Sequence, residues 1–335
     1  MALFDKLPLQ RRLSLVVPFV LVAFAGSCGP GADTDDESAA DDDHDAMTSQ
    51  LPEGAEALSL LGEPLFPPAP SEEYRLVHEG FLTEAQAALE ANAGDADALV
   101  WVGRRQAYLG RYHDALATFT DGIRRHPEDA RFYRHRGHRH VTIREFEAAV
   151  NDFDRAAALI EGTEDVIEPD GLPNAAGIPL STLQFNIWYH LGLAHYLQGD
   201  LEAALGAYER CMEVSVNPDL QTATAHWLYM TLRELGRDVE AAAVLEPFSA
   251  DMEIVENASY HELLLMYRGE LEPEDLLNED RATDSSSAAT LYGVGNWFRY
   301  NGDETRAAEV FQRLLDTDQW AAFGFVAAEA AVAGS

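Results

Sequence analysis

A run of arginines is the part of this sequence whose residue types could do chemistry. Ten arginines and four acids fall between positions 104 and 144, so this window carries a charge of +6 in a chain whose formal net charge is -35. The arginines are Arg104, Arg105, Arg111, Arg124, Arg125, Arg131, Arg134, Arg136, Arg139 and Arg144. A guanidinium group is a planar fork that grips a carboxylate or phosphate through paired hydrogen bonds. The run therefore predicts recognition of an anionic group. The alternative is that these arginines only form ion pairs with the acidic surface or with the acidic N-terminal segment.

Histidines close to this run raise the question of a metal site. They are His135, His138, His190 and His226. Three of the arginines are interleaved with or flank the first two histidines, and they would repel a cation unless carboxylates also converged there. We therefore expect no metal and no other cofactor, and we interpret these histidines as a polar lining whose charge varies with pH.

The spacing of small and apolar residues predicts the elements that position these side chains. An apolar-x2-Ala-apolar-x2-aromatic pattern begins at Tyr112, returns 34 residues later at Phe146, and returns again at Leu201 after 34 residues plus an insertion of 21. Four glycines stand at turns between paired helices: Gly110, Gly199, Gly236 and Gly302. Two antiparallel helices that approach closely need small residues at their contact, and such pairs bury their apolar faces only by stacking. The pattern predicts stacked helix pairs.

This organisation resembles the tetratricopeptide repeat family over about residues 96–321. The resemblance implies an all-α fold, a right-handed superhelix of helix-turn-helix repeats that ends in a C-terminal capping helix. Two histidines, His140 and His195, stand where an aromatic residue is usual. Residues 258–284 fit only as a shortened, degenerate repeat in which Pro273 opens the second helix.

In that family, the inner face of each first helix offers the contact positions for a bound partner. The positions that correspond to them here are Arg104, Tyr108, Arg131, Arg134, His135, His138, Asn186, Tyr189, His190, His226 and Trp227. The lysines of the family's carboxylate clamp are absent, so recognition of a peptide C-terminus is not implied. The resemblance implies a scaffold for a peptide or protein partner, and the arginines favour an acidic segment of that partner.

Proline and glycine are frequent in the insertion at residues 164–184. Loops of this length within a compact array are uncommon and are often functional. If the loop folds over the inner face, the candidate contacts are Asp170, Asn174, Ser181 and Thr182. The alternative is a loop that fills an irregular junction between the second and third repeats.

The N-terminus has the layout of a secretory signal, with Lys6, Arg11 and Arg12 before an apolar run at residues 13–24. The stretch from Ala25 to Cys28 resembles a bacterial lipobox, which implies that Cys28 is acylated and anchors the protein to a membrane. The alternative is an ordinary secretory signal that happens to end near a cysteine. Gly29 follows the cysteine, which by resemblance to sorting rules implies the outer membrane, facing the periplasm.

Eight acidic residues lie between positions 33 and 45, and no lysine or arginine lies between positions 12 and 75. Such a segment cannot bury enough apolar surface to fold. The predicted organisation is a lipoprotein signal peptide (1–27), an acidic disordered tether (28–60), an N-terminal helical lead-in (61–95), repeats one and two (96–163), the insertion loop (164–184), further repeats (185–321) and a capping helix (320–333).

The sequence contains little that indicates an enzyme. Lys6 is the only lysine, so a Schiff-base or phosphate-loop lysine is missing from the predicted mature chain. His261 and Glu262 begin like a zinc-protease helix, but Leu265 stands where the second histidine ligand would be. We therefore expect a non-enzymatic scaffold in the cell envelope. A receptor for a small ligand or anion, using the groove and the insertion loop, is the second possibility, and an enzyme acting on envelope polymers is the third. Nucleic acid is a poor partner for an exported protein of this charge.

Overall fold

The computed structural model describes residues 51–277 and 286–334, except for the side chains of residues 286 and 287. The predicted signal peptide, Cys28 and the predicted tether up to residue 50 lie outside the described residues. Within the described residues there are 14 helices and one short two-stranded hairpin. Among these helices, none is both long enough and apolar enough to span a membrane.

Most of the helices form antiparallel pairs that follow one another along the chain. They are α1 (Glu72–Ala91), α2 (Ala96–Tyr108), α3 (Tyr112–Arg125), α4 (Ala130–Thr142), α5 (Phe146–Ile160), α6 (Leu183–Gln198), α7 (Leu201–Val214), α8 (Pro218–Glu234), α9 (Asp238–Leu245), α10 (Ala258–Tyr267), α11 (Pro273–Leu276), α12 (Ser286–Tyr300), α13 (Glu304–Leu315) and α14 (Phe323–Ala333). Each helix from α2 to α8 packs against the next one in sequence. This is the expected all-α array of tetratricopeptide-type pairs.

Packing within the pairs explains the small residues that the sequence repeats. A side chain at Gly103 on α2 would collide with the Phe119 ring on α3, and one at Gly192 on α6 would collide with the Tyr208 ring on α7. Ala204, at the same contact between α6 and α7, is fully buried. In these two pairs the glycine of the first helix thus accepts the aromatic ring of the second helix, which lets the two backbones approach closely.

A short hairpin precedes the helices, where the sequence predicted a disordered tether up to residue 60. Strand β1 (Ala57–Leu58) pairs antiparallel with β2 (Pro64–Leu65). Glu56 accepts hydrogen bonds from the backbone N–H groups of Tyr112 (2.9 Å) and His113 (3.0 Å), and so caps α3, which has no side-chain cap of its own. The prediction was therefore wrong for residues 51–60, because burial of Ala57 and this capping contact fix them to the first repeat.

The turn between α4 and α5 departs from the others. The corresponding turns carry glycines with positive φ, including Gly110, Gly199 and Gly302, whereas this turn carries Arg144 with φ 71°. Among the described residues, Arg144 is the only non-glycine residue in the left-handed region. Left-handed backbone costs a residue with a Cβ roughly 1–2 kcal/mol, so the arginine side chain must contribute something that glycine cannot.

The C-terminal helix was expected to cap the last repeat, and it does pack against α12 and α13. It also contacts α6, in the third repeat. The Arg144 guanidinium lies 2.9 Å from the carboxylate of Glu329 on α14, and it donates to the carbonyl of Trp320 (2.8 Å). Helix α14 therefore both covers the last pair and reaches back to the first half of the array. The shortened fifth pair, α10 with the four-residue α11, is present where the sequence predicted it.

Candidate functional site

The first helices of the first three repeats place several of the predicted contact residues around one carboxylate. That carboxylate belongs to Glu168, in the loop between α5 and α6. Arg104 comes from α2, Arg134 and His135 from α4, and Asn186 from α6. We refer to these four side chains as the Glu168 pocket. Through Glu168 the insertion loop, residues 161–182, therefore contacts side chains of α2, α4 and α6.

The Glu168 pocket holds its carboxylate from both sides. Asn186 Nδ2 donates to Oε2 (2.8 Å), and Arg134 Nε lies 3.1 Å from the same oxygen. His135 Nε2 lies 3.2 Å from Oε1, and Arg104 Nη1 is 3.9 Å away. Glu168, Arg134, His135 and Asn186 are buried. A buried carboxylate is stable only when donors and cations surround it, and this pocket supplies both.

His135 acts in the pocket as a neutral donor. Its Nδ1 lies 2.9 Å from Arg134 Nη1, and a guanidinium nitrogen can only donate, so Nδ1 accepts and the proton sits on Nε2. Nε2, which carries the proton, lies 3.2 Å from Glu168 Oε1. Burial and then the nearby Arg134 charge lower the pKa of His135 well below its ordinary value, which keeps the ring neutral at physiological pH.

Backbone carbonyls of the loop supply the remaining contacts to this face. Arg104 Nη1 donates to the carbonyl of Pro169 (2.8 Å), and Arg105 Nη1 donates to the carbonyl of Gly171 (3.1 Å). Gly171 lies against the Tyr108 ring, with no room for a side chain between them. The Tyr108 hydroxyl in turn accepts from Arg104 Nε (3.3 Å) and Nη2 (3.1 Å). The loop is thus bound by arginines through one carboxylate and two carbonyls.

Positive charge on this face exceeds the negative charge that meets it. Arg139, on α4, lies over the Tyr112 ring with its guanidinium carbon 5.5 Å from the ring centroid. Burial lowers the pKa of Arg139 to about 10, and the neighbouring Arg134 contributes to the lowering. Within the described part of the chain, Glu168 is the only carboxylate within 4.0 Å of Arg104, Arg134 or Arg139. The face therefore retains a surplus of cations.

A second group of predicted contact residues is occupied by the C-terminal helix. Phe323, the first residue of α14, packs on His138 (ring centroids 5.2 Å apart), His190 (5.4 Å) and Tyr189 (6.4 Å). Burial lowers the pKa values of His138 and His190 well below the ordinary value, and Arg139 and Arg134 respectively add to the lowering. These residues form part of the packed interior and are not an open groove.

His226 and Trp227, on α8, lie deeper still. Trp227 Nε1 donates to the Tyr189 hydroxyl (2.7 Å), and the His226 ring stacks against Tyr260 (4.7 Å) and Tyr267 (5.9 Å). Burial lowers the pKa of His226 to about 3. Both residues are buried in the core. Side chains of the protein itself therefore fill much of the groove that the sequence predicted.

Arg131 lies apart from the other predicted contact residues. Its guanidinium pairs with Asp129 at 2.6 Å and also contacts Asp97, and hydrogen bonding to Asp129 raises its pKa. It lines a depression of about 570 Å³ together with Pro127 and Leu159. Arg131 therefore helps to join α2 and α4 and takes no part in the Glu168 pocket.

Glu168 was not among the candidate residues predicted from the sequence. The loop residues predicted as contacts have other partners. Ser181 Oγ accepts a hydrogen bond from Asn186 (3.2 Å), Thr182 caps α6, and Asn174 donates to Glu256 (2.6 Å). Asp170 is exposed and accepts from a backbone N–H within the loop. Residues 51–277 and 286–334 contain no group of three or more His, Cys, Asp or Glu side chains that could hold a metal ion.

Comparison with known proteins gives one family match. Residues 187–214, which cover most of α6 and all of α7, match the tetratricopeptide repeat. This helix pair is thus similar to a tetratricopeptide repeat. No curated protein matches the chain.

Three solved structures are similar to this chain. One is YrrB, described as a TPR protein with an unusual peptide-binding site, at 18% identity over 69% of this chain and 91% of that one, with a TM-score of 0.39. A MamA structure is 17% identical over 60% and 90%, with a TM-score of 0.40. A tetratricopeptide repeat protein from Parabacteroides merdae is 15% identical over 76% and 96%, with a TM-score of 0.43.

Proposed function

We propose that this protein is a scaffold that binds a peptide or protein partner, and that an acidic segment of the partner contacts the inner face of the first two repeats. The observation that supports this function is the surplus of arginines on that face. Four arginines lie on two adjacent helices, α2 and α4: Arg104, Arg105, Arg134 and Arg139. The described carboxylate of Glu168, which pairs with Arg104 and Arg134 only, comes from a loop. Guanidinium groups recognise carboxylates with geometric specificity, so an acidic ligand fits this surface.

Aromatic side chains beside the arginines favour a peptide over a bare anion. The guanidinium carbon of Arg104 lies 4.4 Å from the centroid of Trp101, and that of Arg105 lies 4.5 Å from the centroid of Phe81. Such stacking holds each guanidinium in a fixed plane, which reduces the conformational entropy lost when a ligand binds. The rings also offer apolar surface to the parts of a peptide between its acidic groups.

The test uses the full chain and a fluorescein-labelled peptide of six glutamates, with a six-glutamine peptide as the neutral comparison, in fluorescence anisotropy. Arg105→Gln with Arg139→Gln removes two cations that make no ion pair with Glu168. We expect about tenfold weaker binding of the glutamate peptide and a smaller salt dependence. Equal binding of the two peptides, or unchanged affinity in the double variant, would contradict the proposal.

A charge-matched control is available on the exterior. Arg124 on α3 pairs with Asp121, and Arg210 on α7 pairs with Glu213, and both arginines are largely exposed. Arg124→Gln with Arg210→Gln lowers the net charge by the same amount as the test variant. Binding of the glutamate peptide in this control should stay within about twofold of wild type, because exposed charges far from a site are screened by salt.

The proposed scaffold is tethered to a membrane of the cell envelope through acylated Cys28, with the repeats facing the periplasm. The support for this is the lipobox-like stretch that ends at Cys28, outside the described residues. Cys28→Ser should move the protein to the soluble fraction, whereas Cys211→Ser, which alters the buried second cysteine, should leave it with the membranes. Retention of the Cys28→Ser protein in carbonate-washed membranes would show that the anchor assignment is wrong.

A further inference from the structure

We infer that the Glu168 pocket is a carboxylate-binding site whose ligand in this structure is a tethered one, so that a carboxylate of the partner binds by replacing Glu168. This inference rests on the proposed function and names the chemistry of its contact. The ligand class is a carboxylate, supplied either by an acidic side chain of a peptide or by a small carboxylic acid.

The side chains that surround the Glu168 carboxylate all lie on helices. These side chains come from α2, α4 and α6, and α4 packs against both of the other two helices, so the array fixes their positions whether or not the loop is bound. Arg134, His135 and Asn186 are buried, and the arginine that fixes the His135 tautomer belongs to the same helix turn. A site of this kind is pre-organised, which reduces the free energy that a ligand loses in ordering it.

Glu168, by contrast, lies on a loop that buries almost no apolar side chain. Of residues 161–182, only Glu168, Gly171 and Thr182 are buried, so no large apolar side chain of the loop contributes to the core. Four aliphatic side chains of the loop are instead at least half exposed: Val166, Ile167, Leu172 and Ile178. Hydrophobic burial is the main force that holds segments to a protein, and here it is nearly absent.

Polar contacts therefore decide whether the loop stays closed. Apart from the Glu168 carboxylate, they include hydrogen bonds to the carbonyls of Pro169 and Gly171 and a bond from Asn217 Nδ2 to the carbonyl of Leu180 (3.0 Å). A free ligand with one carboxylate competes against a tethered group whose effective concentration is in the millimolar range. A segment with several acidic groups can also use the cations that Glu168 does not reach, chiefly Arg139.

The first arm of the experiment measures binding of the labelled hexaglutamate peptide to the full chain. Glu168→Gln removes the competing carboxylate, so affinity should rise about tenfold. Glu164→Gln is the matched control, because Glu164 is an exposed glutamate of the same loop, and it should bind as wild type does. Equal affinity in the Glu168→Gln and Glu164→Gln proteins would overturn the inference while leaving the proposed function standing.

The second arm needs no substitution in the pocket. The peptide should accelerate thermolysin cleavage of the wild-type loop at its exposed aliphatic residues, because replacement of Glu168 releases the loop, whereas the hexaglutamine peptide should not. Protection of the loop by the hexaglutamate peptide would mean that the ligand binds on top of a closed loop, and would refute the replacement of Glu168.

The third arm separates a small carboxylate from a peptide. Glu168→Ala leaves a space of carboxylate size, and sodium acetate should raise the melting temperature of this variant saturably, beyond its effect on wild type and beyond that of sodium chloride at equal concentration. Acetate rescue without peptide binding would keep the carboxylate site and reject the peptide scaffold. Absence of rescue, together with unchanged peptide affinity in Glu168→Gln, would reject the site.

Discussion

Replacement of Arg144 by glycine should destabilise the protein even though it relieves the backbone. Arg144 has φ 71°, in a turn whose counterparts in other pairs are glycines with φ between 71° and 86°. Glycine adopts this conformation without steric cost, so the substitution alone would stabilise the fold by about 1 kcal/mol. This gain is the smaller of two opposing effects.

The larger effect is the loss of a buried ion pair. The side chains of Arg144 and Glu329 are 3% and 1% exposed, and Arg144 Nε lies 2.9 Å from the Glu329 carboxylate. Removal of one partner leaves the other charge buried and unpaired, at a cost of roughly 3–5 kcal/mol. The hydrogen bond from Arg144 to the Trp320 carbonyl is also lost. After the gain from relieved strain is subtracted, the free energy of unfolding should fall by about 2–4 kcal/mol.

Urea denaturation followed by far-ultraviolet circular dichroism measures this change. Arg144→Gly combined with Glu329→Ala should be more stable than Arg144→Gly alone, because the orphaned carboxylate is gone. The reasoning fails if Arg144→Gly is as stable as wild type, since the strain would then outweigh the pair. It also fails if the double variant recovers nothing, since the pair would then not be the source of the loss.

Two further predictions concern the core. Gly192→Ala should lower the free energy of unfolding by roughly 1–3 kcal/mol, because the added methyl group overpacks against the Tyr208 ring. Gly206→Ala, in open space on the next helix, should be neutral or raise that free energy by up to about 1 kcal/mol. Urea denaturation of both variants measures the two changes, and equal effects would contradict the packing described. His226 has a folded pKa of about 3, below the value of about 6.5 for an unfolded chain, so only the unfolded chain binds the proton as pH falls from 6.5, and stability falls with it. His226→Gln should reduce that slope by up to about 1.4 kcal/mol per pH unit between pH 6.5 and 5, and identical slopes in the two proteins would contradict the assignment.

Local pattern explains which parts of the fold could be predicted from the sequence. The pairing of Gly192 with Ala204 and Tyr208 depends on the 34-residue period and on helix geometry, and both are visible in one sequence. The insertion loop was predicted at 164–184 and the structure places it at 161–182, since Thr182 already caps α6. The capping helix predicted from residue 320 begins at Phe323.

The contacts that could not be predicted join residues that are far apart in the sequence. Nothing local distinguishes Glu168 from Glu164, yet one is buried among arginines and the other is exposed, because the course of the loop over α2 and α4 decides which side chain turns inward. The inner-face positions were identified by their place on the first helices. Whether a segment of the same chain already fills that face depends on where α14 lies. Nothing in the sequence around Phe323 predicts that its ring packs on His190.

Contacts between the two ends of the repeat array change how such a protein should unfold. In a linear array each repeat touches only its neighbours, so folding can begin anywhere and the ends can fray independently. Here Trp320 Nε1 donates to the carbonyl of Phe66 (2.7 Å) across 254 residues of sequence, and Arg144 meets Glu329 across 185. Contacts of such high sequence separation slow folding, because a long loop must close before they form. They also make the first and last repeats depend on each other, so that loss of the C-terminal residues would loosen the repeats at the opposite end of the chain.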